Sequence, residues 1–211
     1  MSAGDFTAWG RLGWPPAAAV RALAGRRAPL PDVAGTLLPY GNGRSYGDSC
    51  LNPGGTLLAM RGLDRFIAFD ADTGILACEA GTLLADILDL AVPRGWFLPV
   101  TPGTRYVTVG GAIANDVHGK NHHAAGSFGA HVLSFELLRS DGSRRRCSPL
   151  ENADWYAATV GGLGLTGVVT QAELQLKRIA GNAVAVRNAR FTGLDEFFAL
   201  NAEAEKKHEY A

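Results

Sequence analysis

One stretch constrains this chain more than any other. It is Pro99-Val-Thr-Pro-Gly-Thr-Arg-Tyr-Val-Thr-Val-Gly-Gly-Ala-Ile-Ala-Asn-Asp-Val-His-Gly-Lys-Asn-His-His-Ala-Ala-Gly-Ser-Phe-Gly129, which holds six glycines and three of the chain's five histidines. Glycine is entropically costly in regular structure. A cluster therefore implies positive φ, or backbone lying against a neighbour that leaves no room for a side chain. The N–H groups exposed along such a path can cradle an anion. Val107, Val109, Ile113 and Val117 are threaded between the glycines, which argues against a plain surface loop. The stretch reads as the lining of a cofactor site.

A second segment narrows the choice of cofactor. Tyr40-Gly-Asn-Gly-Arg-Ser-Tyr-Gly-Asp48 follows a short apolar run, Thr36–Pro39, that suits a strand. Gly41, Asn42, Gly43, Arg44, Ser45 and Tyr46 would form a tight loop whose N–H groups converge on a pyrophosphate. The loop is not a Walker A motif, because no Gly-Lys-Ser/Thr is present. Nor does it complete the Rossmann Gly-x-Gly-x-x-Gly spacing, because position 46 is Tyr.

His118-Gly-Lys-Asn-His-His123 invites a metal assignment that its spacing does not support. Zinc sites draw ligands from separated places, and His122 and His123 are adjacent. His118 and Lys120 suit polar contacts with a substrate or cofactor better: histidine exchanges a proton near neutral pH and lysine holds an anion. A loop hydrogen-bonded only to itself is the competing reading. No Gly-x-Ser-x-Gly motif is present. Cys50 and Cys147 have no histidine nearby in sequence, so thiol catalysis is unmotivated.

Apolar residues make up 47% of the chain and charged residues 19%, with zero formal net charge. A sizeable core is available, and there is no electrostatic case for nucleic acid or a membrane surface as the main partner. Arg144-Arg145-Arg146 follows the turn Asp141-Gly142 and reads as a solvated strand end. Three widely spaced cysteines fit neither a disulfide framework nor a zinc spacing, so reduced structural thiols are expected. No secretory signal is apparent, and no apolar run approaches the ~20 residues of a membrane helix. A soluble, cytoplasmic chain is the expectation.

The pattern predicts a helix over Ala17–Ala24 opened by Pro15-Pro16, then strands at Thr56–Met60, Arg65–Asp70 and Gly74–Ala80. Thr82–Ala91 reads as a helix with a stripe of Leu83, Leu84, Ile87, Leu88 and Ala91, ended by Pro93 and Gly95. His131–Arg139 and Ser143–Cys147 flank an Asp-Gly hairpin turn. Asn152 is expected to cap a helix through Thr159. Gly167–Lys177 alternates as a half-buried antiparallel strand. A further strand is expected at Ala183–Arg190, and then a helix from Leu194 capped by Thr192 with Asp195. The chain would divide into an arm (1–35), a βαβ-like part (36–98), an antiparallel part (99–180), and the start of a following domain (181–211) that continues beyond Ala211.

These segments together resemble the FAD-binding part of vanillyl-alcohol-oxidase and p-cresol-methylhydroxylase type flavoproteins, and within them the decaprenylphosphoryl-ribose oxidases. The likeness is carried by Thr7-Ala-Trp-Gly-Arg11, Gly41–Asp48, Pro102–Ala114, His118–Gly129 and Ala158–Gly167, in order. The His-Gly-Lys-Asn-His-His run is its most specific element. The resemblance implies an α+β fold of two subdomains with FAD between them. Gly41 to Tyr46 would wrap the pyrophosphate. Pro102, Gly103, Thr104, Val107, Gly110, Gly111, Ala114 and Val117 would line the flavin, with His118 and Gly119 beside it. Gly164 and Val169 would contact the adenine side or the sheet next to it. Tyr46, His118 and Lys120 would face the substrate.

The implied chemistry is oxidation of a sugar secondary alcohol by hydride transfer to flavin N5. Relatives that tether FAD use a histidine where this chain has Arg44, or a cysteine where it has Thr104, so non-covalent FAD is expected. The substrate would be a small molecule or a lipid-linked sugar, which could bring the protein to a membrane, and the electron acceptor a partner reductase. An alditol or aldonolactone oxidase and a flavin-binding module without turnover are the alternatives.

Overall fold

The first sheet is built around a strand with no exposed face. In the computed structural model, which describes residues 6–11, 13 and 15–210, β1 (Ala19–Ala22), β2 (Leu37–Tyr40) and β3 (Thr56–Ala59) pair in the order β1-β3-β2. Both pairings are parallel, and every residue of β3 is buried. Because the three strands run the same way, their carboxyl ends lie along one edge, where ligands of open parallel sheets collect. The loop Gly41–Asp48 leaves β2 at that edge. The first five residues of the expected arm, Leu12, Trp14 and Ala211 lie outside the described residues.

The second sheet is antiparallel and five-stranded. β4 (Phe66–Asp70), β5 (Ile75–Glu79), β7 (Val132–Leu138), β8 (Arg144–Cys147) and β9 (Val168–Gln175) take the order β4-β5-β9-β7-β8. The remaining pair, β6 (Trp96–Phe97) with β10 (Lys177–Arg178), is a short antiparallel ribbon. Helix α1 (Leu84–Ala91) buries Leu84, Ala85, Ile87 and Ala91, and Gly95 (φ 79°) closes the 3₁₀ turn that follows it. The main core joins α1, the sheet and α2 (Val109–Ala114) through Leu76, Ile87, Ile113, Phe135 and Leu174. Among the described residues, three further helices are α3 (His122–Ala125), α4 (Ala153–Thr159) and α5 (Leu194–Glu205). The fold class is α+β, as the sequence implied.

Several expectations fail locally. The alanine-rich Ala17–Ala24 is not a helix, because Ala19–Ala22 pairs residue for residue with Thr56–Ala59. A sheet edge outweighs a weak local propensity here. The expected division near residue 98 does not follow the sheets, since β5 pairs with β9 across it. Asn152 precedes α4 but does not cap it; at φ 50° its side chain donates to Arg146 O instead (2.7 Å).

The chain from Ala183 to Arg190 forms no strand and is exposed throughout, with no sheet edge to satisfy its backbone. At α5 the carboxylate that accepts from Thr192 N and Oγ1 belongs to Glu196, not Asp195. No residue of α5 is buried, so Leu194, Phe197 and Phe198 face outward. Arg144, Arg145 and Arg146 are engaged within the fold: Arg144 binds Glu136 (2.6 Å), Arg145 lies over Trp155, and Arg146 binds Glu173 (2.9 Å).

Candidate cofactor site

The turn after β2 is shaped by a residue without a side chain. Gly43 has φ 60°, a conformation that favours glycine. A Cβ there would overlap the Tyr40 hydroxyl and the Thr7 carbonyl oxygen. Two carbonyls of the turn are engaged by protein donors. Asn42 O accepts from the Arg44 guanidinium at 2.7 Å, and Ser45 O accepts from Trp9 N at 3.3 Å. Among the hydrogen bonds of the described residues, none takes its proton from the N–H of Asn42, Gly43, Arg44 or Ser45. The turn is joined to the second glycine segment by Asn42 Nδ2, which donates to Tyr106 O at 2.7 Å.

Helix α2 presents small residues rather than a free N-terminus. Thr108 accepts from Gly111 N (3.1 Å), Val109 N donates to Thr82 O (2.9 Å) and Gly110 N to Ala80 O (2.8 Å). These bonds occupy the N–H groups that a helix start would otherwise offer. Of the six glycines between Pro99 and Gly129, only Gly126 has positive φ among the described residues. Close approach explains most of the others. A Cβ on Gly110 would sit 3.1 Å from the Ala80 Cβ, and one on Gly129 would overlap Val160.

Beyond α2 the chain turns at Asp116 (φ 41°). Its carboxylate accepts from the Ser127 hydroxyl and from Gly129 N, both at 2.8 Å. His118 bridges to Ser127 and is exposed, so this hub carries the imidazole to the surface. The loop does bond to itself, but through other histidines: His122 Nδ1 lies 3.2 Å from Gly119 O, and His131 Nε2 lies 2.9 Å from Ala125 O.

These parts enclose a cleft of about 550 Å³, within the usual range for small-ligand sites. Gly41, Asn42, Gly43, Arg44, Ser45 and Tyr46 line one side. Pro102, Gly103, Thr104, Val107, Gly110 and Gly111 line the other, and Ala114, Val117 and His118 also line it. Gly164 and Val169 also reach it. Two expected residues do not. Gly119 is buried away from the lining, where a Cβ would come 2.9 Å from Thr101 O. Lys120 is exposed and outside it, because the turn into α3 carries it past the rim.

Sequence reasoning missed Trp9, Thr108, Leu163 and Cys50, all of which line the cleft. Thr108 had a signal, the threonine placed to cap Val-Gly-Gly. Trp9 and Leu163 arrive only through tertiary contacts; Leu163 N, at φ 53°, donates to Ala114 O at 2.8 Å. Cys50 is a free thiol whose pKa burial pushes up, which disfavours the thiolate that nucleophilic chemistry needs.

Residues 33–148, more than half of the chain, match the family model described as the FAD binding domain, and the chain belongs to that family. It is 43% identical over 169 residues to the decaprenylphosphoryl-beta-D-ribose oxidase of Mycolicibacterium smegmatis, covering 79% of this chain and 36% of that protein. It is 48% identical over 128 residues to an uncharacterized protein in the mprA 5′ region of Streptomyces coelicolor, covering 59% and 34%. With cytokinin dehydrogenase 4 of Arabidopsis thaliana the identity is 32% over 142 residues, covering 64% and 27%. The chain thus spans about a quarter to a third of the length of these relatives.

FAD is accordingly the cofactor, and the cleft fits it. The turn at Gly43 offers N–H groups without acceptors among the described residues, and α2 presents a wall of small residues. Gly103 adds open space in which a Cβ would meet nothing within 4 Å.

Proposed function

We propose that this chain holds FAD non-covalently across the cleft, and that the whole protein oxidises a secondary alcohol of a lipid-linked sugar. The observation that carries this reading is the convergence of two glycine-rich segments, far apart in sequence, on one cleft. The diphosphate would lie at Gly41–Tyr46, against the N–H groups of Asn42–Ser45, with the guanidinium of Arg44 beside it. The flavin would lie against Pro102–Ala114. Arg44 and Thr104 both line the cleft and neither is a residue that forms a flavin linkage, which supports non-covalent binding.

Bound flavin supplies a hydride acceptor. The chain supplies position and proton handling. His118 and Tyr46 are exposed residues of the cleft lining, where an imidazole could take the hydroxyl proton of an alcohol. Lys120, past the rim, would attract an anionic group on the substrate from outside the cleft. The name of the Mycolicibacterium smegmatis relative supports a decaprenylphosphoryl sugar as the substrate class.

Purified full-length protein should be yellow and release its flavin on acid precipitation. Flavin that stays with the precipitate would overturn non-covalent binding. Anaerobic addition of a polyprenylphosphoryl pentose should bleach the flavin. His118→Ala should slow that bleaching by at least about a hundredfold, the low end for loss of a general base, with FAD content unchanged. Equal loss of both would make His118 structural.

A further inference from the structure

The segment before β1 has a use that neither sheet requires. Phe6 packs edge-on against Tyr40, with ring centroids 4.9 Å apart at 75°. The Tyr40 hydroxyl donates to Thr7 O at 2.7 Å, and Trp9 N donates to Ser45 O at 3.3 Å. Ala8 is buried, and Arg11 N closes a turn onto Ala8 O at 3.0 Å. Gly43 is where this strap and the turn after β2 meet, since a Cβ there would overlap both the Tyr40 hydroxyl and the Thr7 carbonyl.

The strap therefore holds the turn at both ends, Tyr40 on one side and Ser45 on the other. Between those two anchors lie Asn42, Gly43 and Arg44, whose N–H groups have no acceptor among the described residues. Tyr40 itself does not line the cleft. A turn rich in glycine has many backbone states when free, and fixing them in advance removes an ordering cost from ligand binding.

We infer that the strap Phe6–Arg11, fastened through Tyr40, is a positioning element that sets the turn's N–H groups for the diphosphate of FAD. The inference rests on the placement of the diphosphate at Gly41–Tyr46 proposed above. It makes Tyr40 a residue that acts on affinity without touching the ligand.

The test compares two probes on the flavin-free full-length protein, ADP for the diphosphate end and riboflavin for the ring end, titrated by calorimetry. Tyr40→Phe removes one hydrogen bond and should raise the Kd for ADP by about three- to tenfold. Riboflavin binding should not change. Tyr156→Phe serves as the control: its hydroxyl lies 2.8 Å from both Gly129 O and Val132 O, neither of which belongs to the turn. That variant should lower the melting temperature and leave ADP affinity intact. Unchanged ADP affinity in Tyr40→Phe, or an equal loss in Tyr156→Phe, would overturn the strap's role. Gly43→Ala separates this failure from failure of the placement. If Gly43→Ala abolishes ADP binding while Tyr40→Phe does not alter it, the diphosphate sits at the turn and the strap is idle. If ADP binding ignores both substitutions, the placement itself is wrong and the strap's role falls with it.

Discussion

Two glycines that line the cleft are glycine for different reasons, and the difference is measurable. Gly110 lies on α2 where a Cβ would come within 3.1 Å of the Ala80 Cβ and 3.2 Å of Ala80 O. Its missing side chain lets α2 pack onto the end of β5. Gly103 has ordinary φ and nothing within 4 Å of a Cβ, so the protein alone does not require glycine there. A ligand lying against Pro102–Thr104 would. Gly110→Ala should therefore destabilise the flavin-free protein by about 1–3 kcal/mol, the usual cost of overpacking. Gly103→Val should leave its melting temperature nearly unchanged and weaken FAD binding. Thermal melts with and without FAD check both, and a Gly103→Val protein of wild-type FAD affinity would remove that residue from the flavin wall.

Three strands of the large sheet are stapled on one face by a single carboxylate. Glu173 on β9 accepts from the Ser134 hydroxyl of β7 (2.6 Å) and from Arg146 of β8 (2.9 Å). The Ser134 hydrogen bond, the largest effect, holds its carboxyl below the ordinary value of 4.5; burial opposes it, and Arg146 adds smaller downward contributions. A depressed folded pKa gives stability that is present above the ordinary value and is lost as pH falls through the folded one. The Glu173 side chain is 40% exposed, so the gain at neutral pH is on the order of 0.5 kcal/mol. The melting temperatures of wild type and Glu173→Gln should differ at pH 7 and converge as pH drops below 4.5. A gap that stays constant with pH would mean that the charge is not what staples the strands. The strands themselves were legible because β9 alternates and Asp141-Gly142 marks the turn between β7 and β8. Ala19–Ala22 was not, because an alanine run becomes a strand only where β3 offers it an edge. For the same reason Ala183–Arg190, with strand-like valines but no edge, stays irregular.

At the scale of the molecule, the cleft exists because two differently built sheets meet along it. The contact is made by Leu58, Met60 and Leu63 from the parallel side against Leu138 and Val168 from the antiparallel side. Gly81 tightens it: its N–H donates to Leu63 O at 2.7 Å, and the Arg61 guanidinium donates to its carbonyl. Both walls could be read in the sequence, since each is a local run of small residues. Their meeting could not, because Asn42 to Tyr106 is a contact between residues 64 apart that no local pattern encodes. A cofactor that spans the cleft should thus act on both sides at once. FAD at a hundred times its Kd should add about 2.7 kcal/mol to stability. For a chain of this size that raises the melting temperature by roughly 5–10 °C. Hydrogen exchange gives the sharper reading. With FAD bound, protection should rise together at Asn42–Ser45 on one wall and at Ala112–Asn115 on the other. Protection confined to one wall would mean that the ligand lies on a face rather than across the cleft, and the reading of two converging glycine segments as one site would fail.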